Sequence, residues 1–496
     1  MAVATDAPPV DRILAAVPTQ LYINGKWQDA ANGERFAVLA PFSEETLTEV
    51  AAAGAADVDA AVAAARAQVD GGEWSRLTGA ERRDLLLKLA DLVERDQDAL
   101  CVLESLDVGK PAEDPHHVDL PNTIDTLRYF AGWADKIDGR SVKAAPHMGH
   151  ARHSYTIREP VGVIAAIVPW NSPLMIASWK LGPALAAGNT VVLKPSEDAP
   201  LSQLHLAKLI EEAGFPAGVV SVLPGYGAAA GAPLAGHPGV DKVSFTGSPE
   251  VGRAIAVQCA GDFRGCSLEL GGKSPQIILA DADLKAAIAG TAMGMFANAG
   301  EICAAGTRVL VHRSLYDDVV AGLAEAAGKV RLGDPFDAET TMGALINAAQ
   351  LERVTGYVEK GKAEGARVVT GGGRPDRPGY FVEPTVFADG NNDMTIAREE
   401  IFGPVGLVMA FDDPVEAARL ANDTRYGLAA FIWTRDVSAA HELAAEVKAG
   451  TVWVNGFGAP DARLPWGGMK TSGMGRELSY SAIEENTEEK TVTIVL

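Results

Sequence analysis

Val161-Gly-Val-Ile-Ala-Ala-Ile-Val-Pro-Trp-Asn-Ser-Pro173 decides how this chain folds. The apolar run Val161–Val168 reads as a strand, and a helix begins near Pro173. The same alternation continues downstream. Thr190–Leu193 is a short apolar strand, Leu201–Ala213 a helix, and Val219–Leu223 and Val240–Phe245 are strands. Strand and helix alternating in this way predict a parallel sheet with helices on its faces. A second alternation follows Gly272, with Gln276–Leu279 strand-like and Leu284–Asn298 helical. Val309–Val311, Arg367–Thr370, Gly406–Ala410 and Gly450–Val454 read as further strands. The fold class is therefore α/β, with two parallel-sheet domains joined near Gly271.

Upstream, residues 1–19 are rich in Pro and Ala and read as a loose arm. Asp57–Arg66 reads as a helix with Val58, Ala61, Val62 and Ala65 on one face. Thr78-Gly-Ala-Glu81 is a capping box opening a second helix through about Arg95, striped by Leu85, Leu86, Leu89, Leu92 and Val93. The tail Lys490–Leu496 alternates and is β-prone.

With 496 residues, the chain exceeds the size at which one core keeps growing, so two or three domains are expected. Apolar residues make up 47% and charged residues 22%, which is a globular composition rather than a disordered one. A net charge of −22 argues against nucleic acid or an anionic membrane surface as partner. The longest apolar run, Val161 to Trp170, is too short to span a bilayer. Cys101, Cys259, Cys266 and Cys303 show no metal spacing and are too sparse for a disulfide framework, so no metal and a cytoplasmic setting are expected. The first residues lack a basic region followed by an apolar one, and no secretory signal is read there.

Two segments carry chemistry. Gly300-Glu-Ile-Cys303-Ala-Ala-Gly-Thr-Arg308 leaves a thiol accessible among small residues. Leu268-Glu269-Leu-Gly-Gly-Lys-Ser-Pro275 sets one carboxylate beside two glycines. A thiol nucleophile and a separate carboxylate base are the minimal kit for covalent acyl chemistry. They fall on opposite sides of the Gly271 junction, where clefts form. A plain Gly-x-Gly-x-x-Gly fingerprint is absent. Instead, Phe245-Thr-Gly247-Ser248-Pro249 ends a strand, turns, and can cap a helix whose free N–H groups suit a pyrophosphate. Gly225-Tyr-Gly227 is a second, weaker glycine turn.

Seven collinear motifs, from about residue 20 to the C-terminus, resemble the NAD(P)-dependent aldehyde dehydrogenase superfamily. They are Ile167-Val-Pro-Trp-Asn-Ser-Pro173, Lys194-Pro-Ser-Glu197, Phe245-Thr-Gly-Ser248, the Glu269 and Cys303 segments, Glu399-Glu-Ile-Phe-Gly-Pro404, and Pro465-Trp-Gly-Gly-Met-Lys470 with Gly475-Arg-Glu477. The resemblance implies two Rossmann-like domains and a small β oligomerisation flap. Residues 1–137 and 161–271 would form the NAD-binding domain, 272–471 the catalytic domain, and 138–160 with 485–496 the flap of a homodimer or homotetramer.

It also implies roles. Cys303 would be the nucleophile, its thiolate favoured by the nicotinamide and backbone donors. Asn171 would share the oxyanion hole with the Cys303 N–H, and Glu269 would be the base that hydrolyses the thioester. Trp170, Gly227, Gly247, Ser248, Glu400 and Phe402 would bind the dinucleotide, with Gln350 and Arg353 near the ribose. Lys194 and Glu197 would hold the adenosine ribose. A carboxylate there repels a 2′-phosphate, which favours NAD over NADP. Glu301 stands where most relatives carry Gln and would raise the thiol pKa if it pointed inward. Ser172, Ile176, Trp179, Phe457 and Trp466 would line the channel for a small-molecule aldehyde. Ser172 and Ala297 leave a cation cage incomplete, which favours a bulky apolar or aromatic aldehyde over an aminoaldehyde or betaine aldehyde. Glu269 argues against a CoA-acylating relative. The whole triad argues against an inactive structural member of the fold.

Overall fold

The computed structural model describes residues 10–458 and 460–496. Its first sheet has eight strands. In spatial order they are Gly473–Met474, Gly265–Leu270, Lys242–Gly247, Val163–Ile167, Thr190–Lys194, Val220–Val222, Leu21–Ile23 and Lys26–Gln28. The inner five run parallel, and antiparallel strands close both edges. Val163–Ile167 and Thr190–Lys194 are buried along their whole length, because helices cover both faces of the sheet. That is why they read as unbroken apolar runs rather than alternating ones. Val163–Ile167 pairs with Lys242–Gly247 on one side and Thr190–Lys194 on the other. The strand order thus reverses at its carboxyl end, where a parallel sheet opens a crevice.

The second sheet has seven strands in the order Arg367–Thr370, Thr385–Ala388, Val405–Phe411, Arg308–His312, Pro275–Ile278, Ala429–Trp433 and Thr451–Val454. All pairings are parallel except that of Arg367–Thr370 with its neighbour. The chain passes from one sheet to the other through Gly271-Gly-Lys-Ser274. One core extends across this passage. Trp179 and Leu174 from the first unit share it with Ala304, Phe431 and Trp466.

A third sheet stands apart. Thr487–Val495 pairs antiparallel with Arg152–Pro160 over its full length, and Ser141–Val142 pairs on the far side. Among the described residues the outer edge of Thr487–Val495 has no neighbour. Just before it, the helix Ser479–Glu485 buries Ala482 and Ile483 against the first core. The sequence reading assigned residues 472–484 to no domain.

The expected loose arm is corrected in part. Residues 1–9 lie outside the described residues, but Val10–Ala15 is a helix. Ile13 and Leu14 pack on the first core and Val17 is buried, a small apolar face that outweighs the Pro and Ala around it. The helices Ala55–Val69 and Gly79–Arg95 form around the expected stripes. The capping box is complete: the Glu81 N–H donates to Thr78 Oγ1 at 3.3 Å, and the Thr78 N–H donates to Glu81 Oε2 at 2.7 Å. The helix expected to run to Asn298 ends at Phe296. No helix of the described residues is long and apolar enough to cross a membrane. Among them no group of three or more His, Cys, Asp or Glu is placed to hold a metal.

Candidate active site

The glycines after Glu269 have a steric reason. Neither Gly271 nor Gly272 has a left-handed φ. A Cβ on Gly271 would collide with the Glu400 carboxylate, and one on Gly272 would sit 2.5 Å from the Cys303 carbonyl oxygen. The Gly272 N–H donates to Glu400 Oε1 at 3.0 Å. The backbone leaving Glu269 is thus pressed directly against the Cys303 loop.

That loop is held in an uncommon shape. Asn298, Ala299 and Gly300 take φ of 47°, 52° and 73°, three successive left-handed residues. Such geometry is costly for the two non-glycine members and persists only where surrounding bonds fix it. The Asn298 side-chain amide donates to the Asn171 carbonyl at 3.1 Å. Asn171 Nδ2 donates to the Glu301 carbonyl at 2.9 Å, which leaves its second N–H unused. The loop after Val163–Ile167 and the loop before Cys303 therefore cross-bond each other.

Cys303, Glu269 and Asn171 line one cavity of about 760 Å³. Burial pushes the Cys303 thiol pKa up, and the Glu269 and Glu400 carboxylates add to it. The N–H groups of Ala304 and Cys303 oppose this without cancelling it. The surroundings supplied by the chain itself thus favour the thiol; the expected thiolate depended on the nicotinamide as well. Glu269 is also pushed well above the usual carboxylate range, first by burial and then by Glu477, with Lys180 and Arg476 opposing. The Gly468 amide pulls its pKa down a little but makes no aligned hydrogen bond. Both Glu269 oxygens are buried without a hydrogen-bond partner. Glu301 turns away from the thiol. Its Oε1 accepts the Ile346 N–H at 3.1 Å, so the carboxylate feared beside the nucleophile is spent on a backbone donor.

At the other end of the cavity stand Trp170, Gly247, Ser248, Glu400 and Phe402, with Gln350 and Arg353. Trp170 and Phe402 meet edge-on at 5.3 Å. Ser248 Oγ accepts the Val251 N–H at 3.3 Å and caps the helix Pro249–Gly261. Gly247 is required by close approach, since its Cβ would lie 2.5 Å from Phe245 Cζ. Arg353 Nε donates to the Ile401 carbonyl at 3.2 Å, and Gln350 Nε2 to the Phe402 carbonyl. Both thus clamp the loop that carries Glu400. Burial pushes Glu400 up to about 7, against the Gly272 N–H and the charges of Arg353 and Lys273.

Lys194, Glu197 and Gly227 do not line this cavity. They cluster at the ends of the neighbouring strands. Lys194 Nζ pairs with Glu197 Oε2 at 2.9 Å, and the Gly227 N–H reaches Glu197 Oε1 at 3.4 Å. Burial, the largest single influence, works to raise the Glu197 pKa, but Lys194 and the N–H groups of Glu197 and Gly227 together bring the carboxyl below its ordinary value.

The chain was compared with known proteins. The model of the aldehyde dehydrogenase family matches residues 27–492. The chain belongs to the aldehyde dehydrogenase family. It is 48% identical to the putative aldehyde dehydrogenase DhaS of Bacillus subtilis, over 96% of each chain. The NAD+ complex of a Bacillus cereus aldehyde dehydrogenase superposes with a TM-score of 0.96 at 46% identity, covering 100% of both chains. The P. syringae AldA indole-3-acetaldehyde dehydrogenase, in complex with NAD+ and IAA, gives a TM-score of 0.94 at 44% identity, over 98% of this chain and 99% of that one.

The residues expected to line an aldehyde channel reach the same cavity. Here Ser172, Ile176, Trp179, Phe457 and Trp466 all line it, as does Ala297. Trp179 and Trp466 lie 5.9 Å apart, and Trp179 Nε1 donates to Asn122 Oδ1 at 2.8 Å. Phe457 stacks on Phe431 at 5.2 Å. The sequence reading missed Trp453, which lines the cavity 6.0 Å from Trp466. Its only signal was an aromatic on a short strand. Met175, Met293, Lys110 and Asp114 were missed as well, and they sit in the same wall.

The raised thiol has a measurable consequence. Alkylation of Cys303 by iodoacetamide in the free protein is expected to accelerate by about tenfold per pH unit above neutrality. Mass spectrometry of the Cys303 peptide reads the rate. A plateau below about pH 8 would mean the thiol ionises far more easily than its surroundings dictate.

Proposed function

We propose that this chain oxidises an aldehyde to the carboxylic acid with NAD+. One observation carries the reading: a thiol, a free carboxylate and a spare amide N–H, from three separate segments, open on one cavity. The far end of that cavity suits a dinucleotide, with the capped helix at Ser248, the Trp170–Phe402 pair and the Glu400 carboxylate. A bound nicotinamide would accept the aldehyde hydrogen.

Cys303 Sγ gives its proton to water and bonds to the carbonyl carbon as the C=O π bond opens, giving the anion of a thiohemiacetal. The resulting oxyanion faces the spare N–H of Asn171 and the Cys303 backbone N–H; one such donor is worth roughly 3 kcal/mol. Oxidation leaves a thioester on Cys303. Glu269 then takes a proton from water, the hydroxide displaces the thiolate, and the acid leaves. A buried carboxylate with a raised pKa suits this duty, because it is a stronger base than an exposed one. The rate should fall as pH drops through that raised value. Glu269 also favours release of the free acid over transfer to CoA.

Glu197 retains acceptor capacity beyond its bonds to Lys194 and Gly227, and its charge disfavours a 2′-phosphate, so NAD is preferred to NADP. In this reading the first sheet and its helices form the NAD-binding domain, and the second sheet forms the catalytic one. The open edge of Thr487–Val495 is the surface through which copies of the chain assemble as a dimer or tetramer. Four unpaired thiols suit the cytoplasm. The substrate is a bulky apolar or aromatic aldehyde, since Trp179, Trp453, Trp466 and Phe457 form its wall. The indole-3-acetaldehyde dehydrogenase among the similar structures supports an aromatic aldehyde. An aminoaldehyde comes second, because Trp466 offers a face to a cation.

An aldehyde panel followed by NADH absorbance tests the activity. Cys303→Ala should lower it by at least about 10³-fold with NAD+ binding intact, whereas Glu269→Gln should keep one burst of NADH and lose steady turnover. A Cys303→Ala enzyme within tenfold of the parent would sink the nucleophile. Glu197→Ser should narrow the preference for NAD over NADP by about tenfold, or roughly 1.4 kcal/mol. A parent that already prefers NADP contradicts the role of Glu197. Ser172→Phe should penalise bulky aldehydes about tenfold more than acetaldehyde, since overpacking costs roughly 1–3 kcal/mol. Equal penalties across the panel would remove Ser172 from the specificity wall.

A further inference from the structure

Two helices that open beside the site start without side-chain caps of their own. Pro173–Ala187 follows Ser172, whose hydroxyl makes no cap bond, and Leu201–Ala213 follows Pro200, which has no acceptor to offer. Their free N–H groups are taken instead by two carboxylates of one buried helix, Gln97–Val108. Glu104 Oε1 accepts the Leu174 N–H at 2.8 Å and the Ser202 hydroxyl at 2.9 Å. Asp107 Oδ2 accepts the Leu201 N–H at 2.8 Å. Three residues apart, the two side chains leave the same face of their helix. Glu104 is 0% exposed. Its Oε2 pairs with Lys110 Nζ at 3.3 Å, and Lys110 pairs with Asp119 at 3.0 Å in the cavity wall.

The loop bearing Asn171 is therefore pinned at both ends. The Val168 N–H donates to the Lys194 carbonyl at 3.1 Å, which holds the strand end. Glu104 holds Leu174 at the other end. Between these anchors, Asn171 has a single side-chain bond, to the Glu301 carbonyl. Because Glu104 takes over the cap, Ser172 keeps its hydroxyl free beside the cavity.

We propose that Glu104 is a positioning residue for the oxidation, setting where the spare N–H of Asn171 stands. This rests on the proposed role of Asn171 in the oxyanion hole. A displacement of about an ångström at such a donor costs up to about 10²-fold in rate. The test measures single-turnover NADH formation, KM for NAD+, thermal midpoint, and hydrogen exchange at residues 170–174. Glu104→Gln still accepts from Leu174 and Ser202 and should stay within about threefold of the parent, while Glu104→Leu should lose at least about tenfold with KM for NAD+ unchanged within about twofold. In an Asn171→Ala background, Glu104→Leu should cost less than about twofold more.

A folded Glu104→Leu with the parental single-turnover rate overturns the proposal, as do losses that multiply in the double variant. If the Leu variant does not fold, Glu104→Asp replaces it: the shorter carboxylate should slow the step, and a rate equal to that of Glu104→Gln overturns the proposal. Should Asn171→Ala alone keep the parental rate, the oxyanion reading fails instead. Glu104 is then judged by exchange at residues 170–174, where acceleration supports its hold on the loop and no change refutes it.

Discussion

The contact of Gly271 and Gly272 with Glu400 and Cys303 is the constraint on which the molecule turns. Two sheets meet where a backbone without side chains slides against a carboxylate and a carbonyl. There the strand Gly265–Leu270, which carries Glu269, passes into the second sheet while Glu269 stays on the cavity that Cys303 lines. The Gly272 N–H adds a bond to Glu400, so one short passage aligns Glu269, Cys303 and Glu400. A side chain at Gly271 would displace the Glu400 carboxylate, and one at Gly272 would push on the Cys303 carbonyl.

Burial gives the site a common electrical character. Glu269, Glu301 and Glu400 are all raised by loss of water, and so is the Cys303 thiol. Taking a charge out of water is unfavourable unless a partner compensates, so burial shifts each group toward its protonated form. The exceptions prove the rule by their pairing. Lys180 is buried against Glu477, Lys110 is set between Glu104 and Asp119, and Lys194 faces Glu197. Groups raised by burial thus stand beside charges that are held in pairs.

Most of the architecture was legible in the sequence because the inner strands are buried on both faces. Val163–Ile167 cannot be anything but continuous and apolar in that setting. The resemblance pointed to Cys303, Glu269 and Asn171, and the structure gathers all three at one cavity. Other features were hidden for physical reasons. Glu104 and Asp107 look like the polar stripe of a surface helix, yet their partners lie some seventy to ninety residues away along the chain. Glu301 could be located by motif, but its direction depended on a backbone N–H at Ile346. Gly247 read as a turn glycine, whereas the ring of Phe245 is what excludes a side chain. Trp453 joined the cavity only through the packing of the second sheet against Trp466. Ile13, Leu14 and Val17 were too few to show a pattern among prolines and alanines.

The left-handed run Asn298–Gly300 ties the Cys303 loop to the docking of the two units. Its own bonds between Asn298 and Glu301 are joined by two to Asn171, which belongs to the other unit. The geometry around Cys303 is therefore shared property: a change at the seam between the sheets reaches this loop even when the segment that carries Cys303 is untouched.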